Sequence, residues 1–63
     1  MMRTKREFER FFRAEILPEI RAEYEQDGRM YIPARRETWN NLADSMAEDR
    51  QIPRHGVNWI CPW

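Results

Sequence analysis

Cysteine and histidine are almost absent from this chain. Cys61 is the only cysteine, so no intrachain disulfide can form, and a reducing compartment is expected. His55 is the only histidine, and one Cys with one His cannot complete a tetrahedral zinc site. With two glycines in all, there is no Gly-rich phosphate loop, and no Ser/His/Asp or Cys/His set can be assembled. The expectation is a protein that is not an enzyme, with no catalytic residues, no metal and no cofactor. No apolar run approaches the ~20 residues needed to span a bilayer. The N-terminus is charged from Arg3 onward and lacks a signal-peptide core. A cytoplasmic protein with no membrane association is therefore expected.

Size is the next constraint. Sixty-three residues make a single small domain, 1–63. A core of this size rarely supplies more than about 3–5 kcal/mol, and neither disulfide nor metal adds to it. Apolar contact must hold the fold, through Phe8, Phe11, Phe12, Tyr24, Tyr31, Trp39, Trp59 and Trp63. Each can bury on the order of 150–250 Å². Net charge is zero but unevenly placed: +3 over residues 1–13, −4 over 14–27 and +1 over the remainder. Lys5 is the single lysine beside ten arginines, which reads as GC-rich coding composition rather than as selection for guanidinium chemistry.

Periodicity organises the chain into two helices. Thr4-Lys5-Arg6-Glu7 has the form of a capping box, with Thr4 as N-cap and Glu7 at N3. Apolar residues then recur at Phe8, Phe12, Ile16, Ile20 and Tyr24, with Phe11 and Leu17 alongside. The spacing predicts a helix from about residue 5 to 26. Pro18 should kink it near residue 17, because it has no N–H for the Ala14 carbonyl and disfavours helical geometry at Leu17. Gly28 is placed to end this helix. A short linker, Gly28–Ile32, favours an antiparallel neighbour. Pro33 suits a first helical position, opening a second helix to about Arg50. Pro53 and Gly56 then break the pattern. The apolar run Val57-Asn58-Trp59-Ile60-Cys61-Pro62-Trp63 is expected to lie across the pair. The predicted fold is all-α: an antiparallel helical hairpin, kinked at Pro18 and closed by an aromatic C-terminal segment, with a short third helix as the alternative for that segment.

The second helix carries the most ordered pattern. Trp39, Leu42, Ala43 and Met46 form a narrow apolar stripe, and Arg36, Asn40 and Asp44 follow at i, i+4 and i+8 along its edge. The run Arg36-x-x-Trp39-Asn40-x-x-x-Asp44-x-Met46, then Asp49-Arg50-x-Ile52 and Trp59, resembles a group of short helical proteins encoded by bacteriophages and other mobile elements. The first half, with Phe8-x-x-Phe11-Phe12 ahead of Ile16-Leu17-Pro18, is similar too, so the resemblance covers most of the chain. It implies a phage-type origin and no particular chemistry. The chain departs from the group at Pro53-Arg54-His55-Gly56, where relatives tend to continue a helical turn before the closing Trp.

Three readings compete for the polar row. It is a surface ladder of side-chain pairs, at about 0.2–0.5 kcal/mol each; or a clamp on the backbone of the C-terminal segment; or a recognition edge. Trp39 reads as a core anchor, whereas Trp59 and Trp63 either dock on the helices or face outward as contact residues. The function expected first is a small protein-interaction module, plausible as a phage accessory factor that occludes a host protein, with Trp59, Trp63, Arg36, Asn40 and Tyr31 as its contacts. On that reading Trp63→Ala abolishes capture and leaves helicity intact. Nucleic-acid binding is the alternative, through Arg3, Lys5, Arg6, Arg10 and Arg13 together with Arg35, Arg36, Arg50 and Arg54. It is disfavoured by Glu7 and Glu9 among these bases, by the acidic second half of the same helix (Glu15, Glu19, Glu23, Glu25), and by a pI of 6.6. Self-association into a homo-oligomer, the +3 end of one first helix against the −4 end of another, is the third. The carboxylates read as ordinary helix-surface groups.

Overall fold

A computed structural model describes residues 1–63. Its elements are α1 (Lys5–Phe11), a π turn (Phe12–Ile16), α2 (Leu17–Tyr24), α3 (Ile32–Glu48) and a 3-10 helix (Arg54–Asn58). The first three run together as one arm of an all-α hairpin and α3 is the other. The molecule extends over 35 × 18 × 17 Å, its long axis set by the helical arms.

Thr4 caps α1, its hydroxyl oxygen accepting the Glu7 N–H at 3.2 Å. The Glu7 carboxylate accepts from the same hydroxyl at 3.3 Å, so the box closes side chain to side chain. Pro18 does not break the arm. One extra residue is wound in ahead of it, and the Leu17 N–H reaches back five residues to the Phe12 carbonyl. That relieves the clash an unbroken α-helix would create between the Pro18 ring and the Ala14 carbonyl.

The wider turn also re-phases the arm. Across it a five-residue step does what four residues do elsewhere, so the buried stripe runs Phe8, Phe12, Leu17, Ile20. Ile16, expected on that stripe, is half-buried, and Tyr24 is exposed. The helix also stops at Tyr24, short of Gln26. Gln26 Nε2 caps the Ala22 carbonyl at 2.8 Å, and Gly28, at φ +80°, makes the reversal.

α3 opens with Pro33 in its first turn and ends at Glu48. Arg50 follows at φ +62°, with Gln51 N–H bonded to the Met46 carbonyl at 2.8 Å and Arg50 N–H to that of Ala47 at 3.1 Å. This is a Schellman ending with arginine where glycine is usual. The Met2 N–H donates to the Gln51 carbonyl at 2.9 Å and ties the N-terminus to this turn.

Phe8, Phe12, Leu17, Ile20, Ala34, Trp39, Ala43 and Ile52 form one core. Trp39 is fully buried at its centre, edge-on to Phe8 at 4.6 Å between ring centroids and tilted against Phe12 at 5.3 Å. No helix is long and apolar enough to cross a membrane.

Candidate protein-contact surface

The C-terminal strap follows the 3-10 helix. Trp59 has extended backbone, and from there exposure alternates: Trp59, Cys61 and Trp63 are half-buried, while Ile60 and Pro62 face solvent. Beyond Trp59 the strap makes no backbone–backbone hydrogen bond. Side chains of the helices hold it instead. Trp39 Nε1 donates to the Trp59 carbonyl at 3.1 Å, and Arg36 Nε donates to the Trp63 carbonyl at 2.7 Å.

The Trp63 ring is itself clasped. It lies against Phe12 (5.7 Å) and edge-on to Trp39 (6.4 Å). The guanidinium carbons of Arg13 and Arg35 each stand 4.9 Å from its centre. Such contacts are worth about 0.5–1 kcal/mol when exposed and more when desolvated.

Of the polar row on α3, only Arg36 acts as a backbone clamp. Asn40 and Asp44 are exposed and make no side-chain hydrogen bond, so the ladder of i,i+4 pairs is not formed. Trp59 and Trp63 both dock on the helices, each half-buried. Tyr31, at the N-cap of α3, stacks on Tyr24, ring centroids 5.7 Å apart and planes within 8°. The five residues expected at a contact surface thus fall in two regions, the strap and the hairpin turn.

Glu25 and Arg35 were not distinguishable from surface charges by sequence, and here the reading of every carboxylate as a surface group is corrected. Glu25 is 8% exposed and Arg35 4%. They form a two-pronged ion pair, Nε to Oε2 and Nη2 to Oε1, both at 2.7 Å. Oε2 also accepts the Tyr31 N–H at 2.9 Å. The Arg35 hydrogen bonds, joined by that amide, outweigh the cost of desolvating the carboxylate and hold its pKa at about 2. The Glu25 carboxylate in turn raises the pKa of Arg35. Arg35 thus joins the hairpin turn to the strap, with Glu25 on one side and Trp63 on the other. The signal in the sequence is slight: an acid at the first helix's end and a base in the second helix's first turn, positions an antiparallel hairpin brings together.

The N-terminal bases lie along α1. Lys5, Arg6, Arg10 and Arg13 border a shallow concavity of about 510 Å³ with Glu9 among them. Arg13 is already engaged, its Nε bonded to Glu9 at 3.0 Å and its guanidinium carbon over the Trp63 ring. Arg3 is exposed ahead of Thr4, and Arg50 and Arg54 are exposed beyond α3. No group of three or more His, Cys, Asp or Glu side chains is placed to hold a metal ion.

No protein-family model, curated protein or solved structure matches this chain. The functional reading therefore rests on what its own surface offers. Apart from Met1, its outward apolar residues fall in two regions. Tyr24, Met30 and Tyr31 are each about half exposed at the hairpin turn; Val57 on the 3-10 helix and Ile60 on the strap, the latter 78% exposed, stand out at the other.

Proposed function

We propose that this chain is a small non-catalytic protein-interaction module, a phage-type accessory factor that binds a host protein and acts by occluding its surface. The observation that carries the reading is the stacked Tyr24–Tyr31 pair, held half in solvent with Met30 at the turn of the helical hairpin. Tyrosine presents a large rigid contact area at low entropic cost and is enriched among residues that dominate interface energies. Tyr31 is the centre of the contact. Asn40 and the half-buried Trp59 and Trp63 contribute on the strap side, where Arg36 fixes the backbone.

A tagged full-length chain is used for capture from a bacterial lysate, with and without nuclease, beside Tyr31→Ala and Ile60→Ser. Both positions are exposed, so circular dichroism should match the parent. A nuclease-resistant protein band that is lost in either variant is the expected result. A band equally strong in both variants would remove these surfaces from the contact.

Nucleic-acid binding keeps one supporting observation, the concavity bordered by Lys5, Arg6 and Arg10. It requires capture to vanish with nuclease and affinity to fall steeply with salt. Arg13 is largely spent on Glu9 and Trp63, which weakens that reading.

A further inference from the structure

The turn end of the hairpin holds a cleft of about 260 Å³, lined by Tyr24, Tyr31, Pro33, Glu37, Thr38 and Asn41 above Ala34. Helix periodicity builds its floor, because Pro33, Glu37 and Asn41 succeed one another at i, i+4 and i+8 on α3, with Ala34 and Thr38 beside them. The tyrosine stack forms its wall, two near-parallel rings 5.7 Å apart, each with one face turned to the other.

Its one charged residue is acidic. Glu37 supplies a carboxylate, and Asn41, Thr38 and the two phenols supply further oxygens; no lysine or arginine lines it. Glu37 takes part in no ion pair, whereas Glu9 and Glu25 each hold an arginine. None of the Glu37, Thr38 or Asn41 side chains, nor either phenol oxygen, bonds within the chain; the hydrogen bonds at this end go to Glu25 and Asp27 instead. A cleft of this volume admits one long side chain. An aromatic wall and an unpaired carboxylate together suit a planar cation that can stack and donate two hydrogen bonds at once.

We propose that the cleft between the Tyr24–Tyr31 stack and the Pro33–Asn41 face of α3 receives one arginine side chain presented by a partner protein. This deepens the interaction-module reading and rests on it. The guanidinium lies along the tyrosine wall and donates to the Glu37 carboxylate, with the Asn41 amide oxygen accepting beside it. The chain uses the same chemistry internally, where Arg35 meets Glu25 two-pronged and lies over the Trp63 ring.

The test titrates the full chain with three capped pentapeptides, Gly-Ser-X-Ser-Gly with X as arginine, lysine or citrulline, followed by NMR. The arginine peptide should give saturable shifts confined to the Tyr24 and Tyr31 rings and the amides of Glu37, Thr38 and Asn41. Lysine should bind more weakly, and neutral, isosteric citrulline should not saturate. Glu37→Gln, on an exposed helix face, should fold as the parent does and weaken the arginine peptide about tenfold. No saturable shift with the arginine peptide on the order of 10 mM would overturn the proposal. Citrulline binding as well as arginine would do the same, as would an unchanged affinity in Glu37→Gln. Failure here beside a nuclease-resistant band in the lysate experiment rejects the arginine cleft alone. Arginine shifts beside an empty lane support the cleft and reject a partner in that lysate.

Discussion

Gly56 is the position where one added methyl tests the packing of the strap most directly. The residue is buried at the middle of the 3-10 helix. A Cβ there would stand 2.7 Å from Ile52 Cδ1, 3.2 Å from Ile52 Cγ1 and 3.2 Å from Trp59 Cζ3. Carbon pairs prefer about 3.5–4.0 Å, so the first contact must open by about an ångström. Neither neighbour has room, since Ile52 is 1% exposed and Trp59 is packed against Phe8 at 5.8 Å. Overpacking of this kind costs about 1–3 kcal/mol. The backbone at Gly56 lies outside the left-handed region, so alanine also stabilises by stiffening the unfolded chain, by about 0.4–1 kcal/mol. The clash wins, and a net loss near 1.5 kcal/mol lowers Tm by about 6–12 °C for a domain of this size. Thermal unfolding followed at 222 nm reads it. Ile52→Val removes the Cδ1 that makes the closest contact, at a cost of its own of about 0.5–1.5 kcal/mol. In that background Gly56→Ala should cost at least about 0.5 kcal/mol less than in the parent, a coupling a double-mutant cycle resolves. A Tm for Gly56→Ala equal to or above the parent would refute the reasoning, as would identical costs in the two backgrounds.

Protonation of Glu25 gives a second test. Its folded-state pKa, about 2, lies below the ordinary value near 4.5, so the carboxylate stabilises the fold fully above the ordinary value. That contribution is lost as pH falls from there toward 2. Tm of the parent should therefore decline through this window, and Glu25→Gln should be less stable at pH 7 with a flatter acid limb; parallel curves would count against the ion pair. Arg50→Gly should stabilise, because left-handed geometry costs a side-chain-bearing residue about 1–2 kcal/mol and glycine's extra unfolded freedom returns only about 0.5–1 of it. A higher urea midpoint with unchanged m-value is the signature. Trp63→Ala should lower stability by about 2–3 kcal/mol, less than the ~3–5 of a fully buried aromatic, and it uncovers the Arg35 side chain as well. Its loss of helicity on mild heating separates it from Ile60→Ser, which should melt within about 0.5 kcal/mol of the parent.

The hairpin could be read from sequence because its signals are local. Thr4 with Glu7, Pro33 and the Trp39–Met46 stripe each involve residues within one or two helical turns; the cap and the stripe stand where expected, and Pro33 falls one position later, behind Ile32. The core of the first arm could be read only in part. Pro18 does signal an irregularity, but a kink and an added residue differ by one step of phase, and that step decides whether Ile16 or Leu17 is buried. A sequence fixes the hydrogen bond Pro18 cannot make; it does not say whether the ladder opens or re-winds to avoid it.

The contact residues divide for a similar reason. Arg36, Trp59 and Trp63 combine the chemistry of a binding surface with that of a structural clamp, because aromatic rings and guanidinium groups serve both. What separates the uses is whether a side chain's partner lies inside the same chain. Trp63 finds Phe12, Trp39, Arg13 and Arg35 there, and its carbonyl finds Arg36. Glu25 finds Arg35 ten residues on, across a reversal whose geometry no local pattern specifies. Residues left over after this internal pairing make the better evidence for a partner. Tyr24, Tyr31 and Glu37 stand together at the turn with their side-chain oxygens unbonded within the chain, whereas the tryptophans that looked most like contact residues are largely occupied in holding the strap.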